Sequence, residues 1–160
     1  MLTIGTCLWF DDQAEEAARF YTSVFPGSRI VAVTTYPVPT PSDKPVGSTM
    51  TVEFELDGRP FTALNGGPEF TFTEAVSIVV RTDDQAGTDR VWDALLEGGG
   101  QPGPCGWLKD RFGLSWQVYP ARLDELTTDP DRERAARATE AMLQQSKIDI
   151  AQIEAAADGV

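Results

Sequence analysis

No histidine occurs among the 160 residues of this chain. Its absence removes the usual general base near neutral pH, the commonest zinc ligand and one member of every Ser-His or Cys-His nucleophile pair. The side chains left to do chemistry are few. Cys7 and Cys105 are thiols, and only Lys109, Arg111 or a nearby helix end stands ready to lower the pKa of Cys105. Each thiol is therefore either an activated nucleophile or an inert buried group. Gln117 carries a neutral amide that needs partners if it is buried on a strand. Asn65, ahead of Gly66-Gly67, either turns the chain in the left-handed region or offers its amide to a pocket. Trp9 and Trp107 are either core or flat platforms for a ligand. Aromatic walls with a few neutral polar groups are the usual make-up of a small-molecule site.

The elements that must position these residues are legible from periodicity and turn residues. Leu2 to Phe10 is apolar and rich in strand formers, and reads as a strand. Asp11-Asp12 offers caps for an amphipathic helix over 13–25, which Pro26-Gly27 ends. Strands follow at 30–36, 49–56 and 60–64, the last two joined by Asp57-Gly58, a strong hairpin turn. Four prolines keep 37–45 out of any ladder. A second series begins with a strand at 75–82, then a helix capped by Asp83-Asp84 and running to Leu96. Strands over 101–108 and 114–119 complete it. From Arg122 the chain reads as helical, with a start near Asp131 and an apolar set of Ile148, Ile150 and Ile153 that something must cover.

Alternation along the strands sorts the side chains by face. Ile4, Leu8 and Phe10 suit the face under the helix, which leaves Cys7 and Trp9 on the other. Val79 and Arg81 fall at the matching points of the second series. Cys105, Trp107 and Lys109 share one face of their strand, and Ser115, Gln117 and Tyr119 share one face of the last.

Asp11-Asp12-Gln13-Ala14 recurs as Asp83-Asp84-Gln85-Ala86, and the same spacing pairs Phe20 with Trp92, Val24 with Leu96 and Gly27 with Gly99. A strand precedes each copy and strands follow each helix, as a duplicated unit requires. The fold class expected is α+β, as one domain over 1–160: a module at 3–67, its repeat at 75–120 and a helical tail at 122–158. The net charge of −12 repels polyanions, so nucleic acid is excluded as a partner. No run approaches the ~18 apolar residues of a membrane span, and Met1 to Gly5 has neither a basic nor a long apolar stretch. A cytoplasmic protein is expected, with both cysteines as free thiols.

Cys7-Leu8-Trp9-Phe10-Asp11, Phe20-Tyr21, Phe61 to Pro68, Cys105 to Asp110 and Phe112 to Gln117 together resemble the PhnB-like branch of the vicinal oxygen chelate (glyoxalase and bleomycin-resistance) superfamily. The resemblance is read over about 3–155. It implies two βαβββ modules forming curved mixed sheets, a homodimer, and the label of a 3-demethylubiquinone 3-methyltransferase domain. Metal-dependent members place His, Glu or Gln at four strand positions, which fall here near Gly5, Ala63 or Asn65, Ser77 and Gln117. None is an acid or an imidazole, and a single amide does not hold a divalent cation. No Gly-rich strand-to-helix turn is present to seat a nucleotide-like methyl donor.

The reading expected is a metal-independent small-molecule-binding protein without a cofactor, its pocket drawn from Trp9, Asn65, Ser77, Cys105, Trp107 and Gln117. Two alternatives stand beside it. One is a lyase, isomerase or methyl-transfer enzyme using Cys105, Asp110 or Glu53 as base. The other is sequestration of a cationic drug or toxin by an acidic cleft.

Overall fold

The computed structural model describes residues 2–160. The chain divides into two compact units, one reaching Phe72 and one beginning at Thr73. Each holds one copy of the strand-helix-three-strand order.

The first unit runs β1 (Thr6–Phe10), α1 (Ala14–Val24), β2 (Arg29–Thr35), β3 (Thr49–Leu56) and β4 (Arg59–Asn65). Its sheet has the order β1-β4-β3-β2. The β1–β4 pair is parallel, and β3 pairs antiparallel with both β4 and β2. The β3–β4 turn is Asp57-Gly58, with both residues at positive φ (47° and 77°), as a two-residue hairpin matched to strand twist requires. Helix α1 buries Ala14, Ala17, Ala18, Phe20 and Tyr21. The small alanines let the helix lie close on the sheet, where Tyr21 tilts against Phe54 and Phe54 stacks on Phe61. Each such side chain contributes roughly 1.5–3 kcal/mol on burial. Leu8 and Phe10 join this core as alternation requires. Ile4 does not. The strand begins only at Thr6, where pairing with β4 starts, and Leu2 and Ile4 are 86% and 81% exposed.

The second unit runs β5 (Ser77–Thr82), α2 (Gln85–Leu96), β6 (Gln101–Pro102), β7 (Trp107–Lys109) and β8 (Ser115–Pro120), then α3 (Arg122–Thr127), α4 (Arg132–Leu143) and α5 (Ile150–Asp158). Its sheet has the order β5-β8-β7-β6, again with the first pair parallel. Leu108, Trp116 and Val118 are buried on one face with Val91, Trp92 and Leu95 of α2. The single strand expected over 101–108 is instead two short strands separated by a turn. Gly103 N–H donates to Trp107 O, and Cys105 stands at φ +56°, so residues 103–106 loop out of the ladder. Gly106 in that turn is pressed against Ile148 and the Val118 carbonyl, each 3.1 Å from where a Cβ would stand.

Asp110, one of the candidate bases, is buried, and its carboxylate accepts from the Phe112 and Leu114 amides and from Trp116 Nε1 at 2.8–3.1 Å. It holds the β7–β8 turn against the indole behind it.

The apolar tail is covered from within the same unit. Ile148, Ile153 and Ala157 pack with Tyr119, Leu123, Leu126 and Ala138. Gln85, at the start of α2, fastens the tail: its amide donates to the Ile148 carbonyl and accepts from the Ile150 N–H.

Candidate functional site

The face of the second sheet opposite α2 carries the alternate residues of three strands. Register places Ser77, Ser115 and Lys109 in one row, and Val79, Gln117 and Trp107 in the next. Arg81 and Tyr119 make the third. A cleft of about 450 Å³ opens at the first of these rows, lined by Glu74, Gln101, Pro102, Trp107, Lys109 and Ser115 among others. Its volume is that of a small-ligand site.

Three observations give this cleft its chemistry. Ser115 is 1% exposed, and its fully buried Oγ has no hydrogen-bond partner among the described residues. Lys109 Nζ meets Glu74 Oε1 at 2.5 Å, and this hydrogen bond, with the Glu74 backbone amide and the lysine charge, holds the Glu74 carboxyl below its ordinary range. Gln117 Nε2 donates to Ser77 Oγ at 2.9 Å, which stiffens the middle of the face. At the far row Arg81 stands over the Tyr119 ring at 5.7 Å and binds Asp124 at 2.6 Å. Burial, with Asp124 second, pushes the Tyr119 phenol up, so it stays protonated.

Of the six residues expected to form a pocket, Trp107 lines this cleft, while Ser77 and Gln117 share its sheet face but not its lining. Cys105 does not join them. The strand expectation put it on the face of Trp107, but the 103–106 turn removes it from that alternation, and it is absent from the cleft lining. Trp9 and Asn65 belong to the first unit. The indole of Trp9 donates to the Gly67 carbonyl at 2.9 Å, meets Phe70 edge-on, and lies so close to Gly66 that a Cβ there would stand 2.2 Å from the ring. It clasps the 66–70 segment. Asn65 is neither left-handed nor free: Oδ1 accepts from Ala14 N–H at 2.8 Å and Nδ2 donates to Thr49 O at 3.0 Å. Its backbone carbonyl accepts the Tyr36 hydroxyl. Asn65 does reach the wall of a second cleft, of about 380 Å³, beside Glu15, Lys44 and Thr49, but its amide is spent on the fold.

The Cys7 thiol is not poised as a nucleophile: burial, and then the charge of Glu53, raises its pKa. Cys105 has been carried off the sheet face. Glu53 accepts the Thr62 hydroxyl at 2.9 Å. Glu74 gave no sign in the sequence, because it lies in the irregular 73–76 connector where no periodicity assigns a face. Ser115 was placed on the right face by alternation, but its missing partner is a property of the packing.

The metal positions implied by the chelate resemblance do not fit a cation. Gly5 has no side chain, Ala63 is fully buried on the helix side, Asn65 is hydrogen-bonded at both amide atoms, and Ser77 and Gln117 bond each other. Among the described residues no group of three or more His, Cys, Asp or Glu is placed to hold a metal ion.

Comparison with known proteins decides the family. A sequence model of the 3-demethylubiquinone-9 3-methyltransferase family matches residues 3–119. The chain belongs to this family. A PhnB protein from Bacillus cereus that carries the same methyltransferase name is 32% identical, with a TM-score of 0.63 over 74% of this chain and 99% of its own. A crystal structure of a protein from Pseudomonas aeruginosa is 22% identical, with a TM-score of 0.60 over 75% of this chain and 98% of its own, and shares the fold. A possible glyoxalase from Bacillus cereus follows at 15% identity and a TM-score of 0.49, covering 72% and 96%. No curated protein gives a significant match. The family match covers residues 3–119, so α3–α5 lie beyond it. Methyl transfer implied by the family's name needs a donor. The strand-to-helix junctions of this PhnB-like chain hold Asp11-Asp12-Gln13 and Asp83-Asp84, with no glycine. Helix N–H groups at those junctions are already bonded to Asn65 and Asp84, so the turn that seats adenosyl cofactors in doubly wound folds is missing.

Proposed function

We propose that this PhnB-like protein binds a small molecule on the face of the β5–β8 sheet opposite α2, and orients it with hydrogen-bonding side chains and without a metal ion. The observation that carries the reading is the buried, unpartnered Ser115 hydroxyl in the wall of a cleft. A buried polar group without a partner costs about 1–3 kcal/mol, and a ligand that bonds it recovers that energy. The donor chemistry at the four chelate positions supports the metal-free part. A homodimer working in the cytoplasm completes the proposal, supported by the two unpaired thiols and by what the PhnB-like resemblance implies. A net charge of −12 supports the absence of nucleic acid among its partners.

Native mass spectrometry of freshly purified protein, paired with elemental analysis, tests all of this. The expected result is a metal-free dimer carrying a co-purified small mass. One divalent cation per chain would overturn the metal-free reading, and a bare polypeptide that takes up no small molecule would overturn the binding function.

A further inference from the structure

The cleft at Ser115 has a definite charge layout, and it says what kind of ligand it takes. This inference rests on the binding role proposed above. Lys109 is the charge built into the sheet: it stands in register with Ser115, and its side chain is 37% exposed. Its partner Glu74 is 64% exposed and comes from a connector, not from a strand. Directly opposed residues on neighbouring strands have Cβ atoms about 5 Å apart, so the lysine ammonium and the serine hydroxyl present two donors to one small group. The wall beside them is Trp107 with Pro102 and Pro104.

We infer that the ligand is a monocarboxylate with a flat apolar body, its carboxylate bonded to Ser115 Oγ and Lys109 Nζ and its body laid on Trp107. Glu74 holds only the Lys109 end of that position and leaves Ser115 Oγ unbonded, and a binding anion displaces it. Displacement is cheap, because an exposed surface ion pair contributes little and the released glutamate returns to water. The two oxygens of a carboxylate match one ammonium and one hydroxyl. A phosphate carries more charge and more acceptor oxygens than this cleft has donors. A cationic ligand would meet Lys109 rather than a carboxylate at the sheet surface, which opposes the acidic-cleft alternative.

The test is a titration of the full-length protein with benzoate and with benzamide, which keeps the ring and removes the charge, followed by ¹H–¹⁵N NMR. Benzoate is expected to shift the Trp107 indole N–H and the Lys109 and Ser115 amides in a saturable way. Benzamide is expected to bind about tenfold more weakly, the loss of one charge-assisted hydrogen bond. Lys109→Met should bring benzoate down to the benzamide level, and Ser115→Ala should weaken benzoate several-fold. Glu74→Gln should tighten benzoate several-fold and benzamide less, a gain that a merely structural role for Glu74 would not produce. Equal binding of benzoate and benzamide, or no gain in Glu74→Gln, would overturn the carboxylate assignment and leave the cleft as a binding site. If neither probe moves these resonances up to the solubility limit, both the assignment and the site are overturned.

Discussion

At the scale of single residues, function and stability pull in opposite directions at Ser115. Its hydroxyl is desolvated by the fold and bonded to nothing in it. Alanine at this position fills nearly the same volume and removes the unmet group, so Ser115→Ala is expected to stabilise the protein by about 1 kcal/mol while it weakens ligand binding. Urea unfolding of the two proteins checks this, and a loss of stability in the variant would mean that the hydroxyl has a partner in solution. Gly66 behaves in the opposite sense. A methyl group there would overlap the Trp9 ring, so the indole must swing away from Gly67 and Phe70. Gly66→Ala is expected to cost about 1–3 kcal/mol, read from the same unfolding curves. The two positions also mark how far residue types can be read. Asn65-Gly66-Gly67 announced a turn, but not that Gly66 is small to admit an indole, or that Gly67 is the residue at positive φ (108°). Contacts between residues far apart in sequence decide those roles, and no local pattern carries them.

At the scale of elements, the repeated Asp-Asp-Gln-Ala predicts the same cap twice, yet the two helices start differently. In the second copy Asp84 accepts from Gly87 N–H at 2.7 Å, as an N-cap should. In the first, no side chain at the N-cap position bonds the helix, and Asn65 bonds the Ala14 N–H from the end of β4. The reason lies in the sheets. Asn65 stands opposite Phe10 at the end of its strand pair, and the matching place in the second sheet, opposite Thr82, is Pro120, which has no donor or acceptor in its side chain. Helix α2 must therefore be capped from its own chain. Asp84→Ala is expected to cost about 1 kcal/mol. Asn65→Ala should cost more, about 2–3 kcal/mol, because it strands both the Ala14 N–H and the Thr49 carbonyl. Asp12→Ala should stay within about 0.5 kcal/mol of the parent. Thermal unfolding of the three variants ranks them, and a large loss in Asp12→Ala would show that the duplicated cap works in both copies. Strand alternation and helix periodicity made the strand-helix-three-strand order legible, because they follow from geometry within each element. The break at 103–106 was hidden, because Gly103-Pro104-Cys105-Gly106 could be read as strand until the packing of Ile148 against Gly106 is known.

At the scale of the whole molecule, the tail is the part most dependent on charge. Beyond residue 119, where the family match ends, a small apolar cluster is ringed by ion pairs. Arg134 binds both Asp129 and Asp158, Arg122 binds Glu125 and Glu154, and Lys147 reaches Asp89 and Asp93 of α2. The Asp131 backbone N–H and then Arg134 lower the Asp129 pKa, and Gln85 and then Lys147 lower that of Asp89. A carboxylate whose folded pKa lies below its unfolded value contributes stability that is fully present above the unfolded value, 3.8 for these aspartates, and is lost as pH falls through the folded one. Each pair is exposed or, as for Arg134–Asp129, half-buried, and contributes little alone, but several of them close the same three short helices, whose apolar core is small. Apart from the Asp110 carboxylate at the β7–β8 turn, the sheets are held by buried aromatic and aliphatic side chains that acid does not touch. Acidification below about pH 4 is therefore expected to loosen α4 and α5 before either sheet. Amide-exchange protection factors, corrected for the intrinsic pH dependence of exchange, should fall first over 132–158 while β3, β4 and β8 stay protected. A parallel loss across tail and sheets would mean that the tail is held chiefly by its apolar contacts with Tyr119. In that case Gln85→Ala, which removes both bonds to Ile148 and Ile150, should release the tail at neutral pH where acid alone does not.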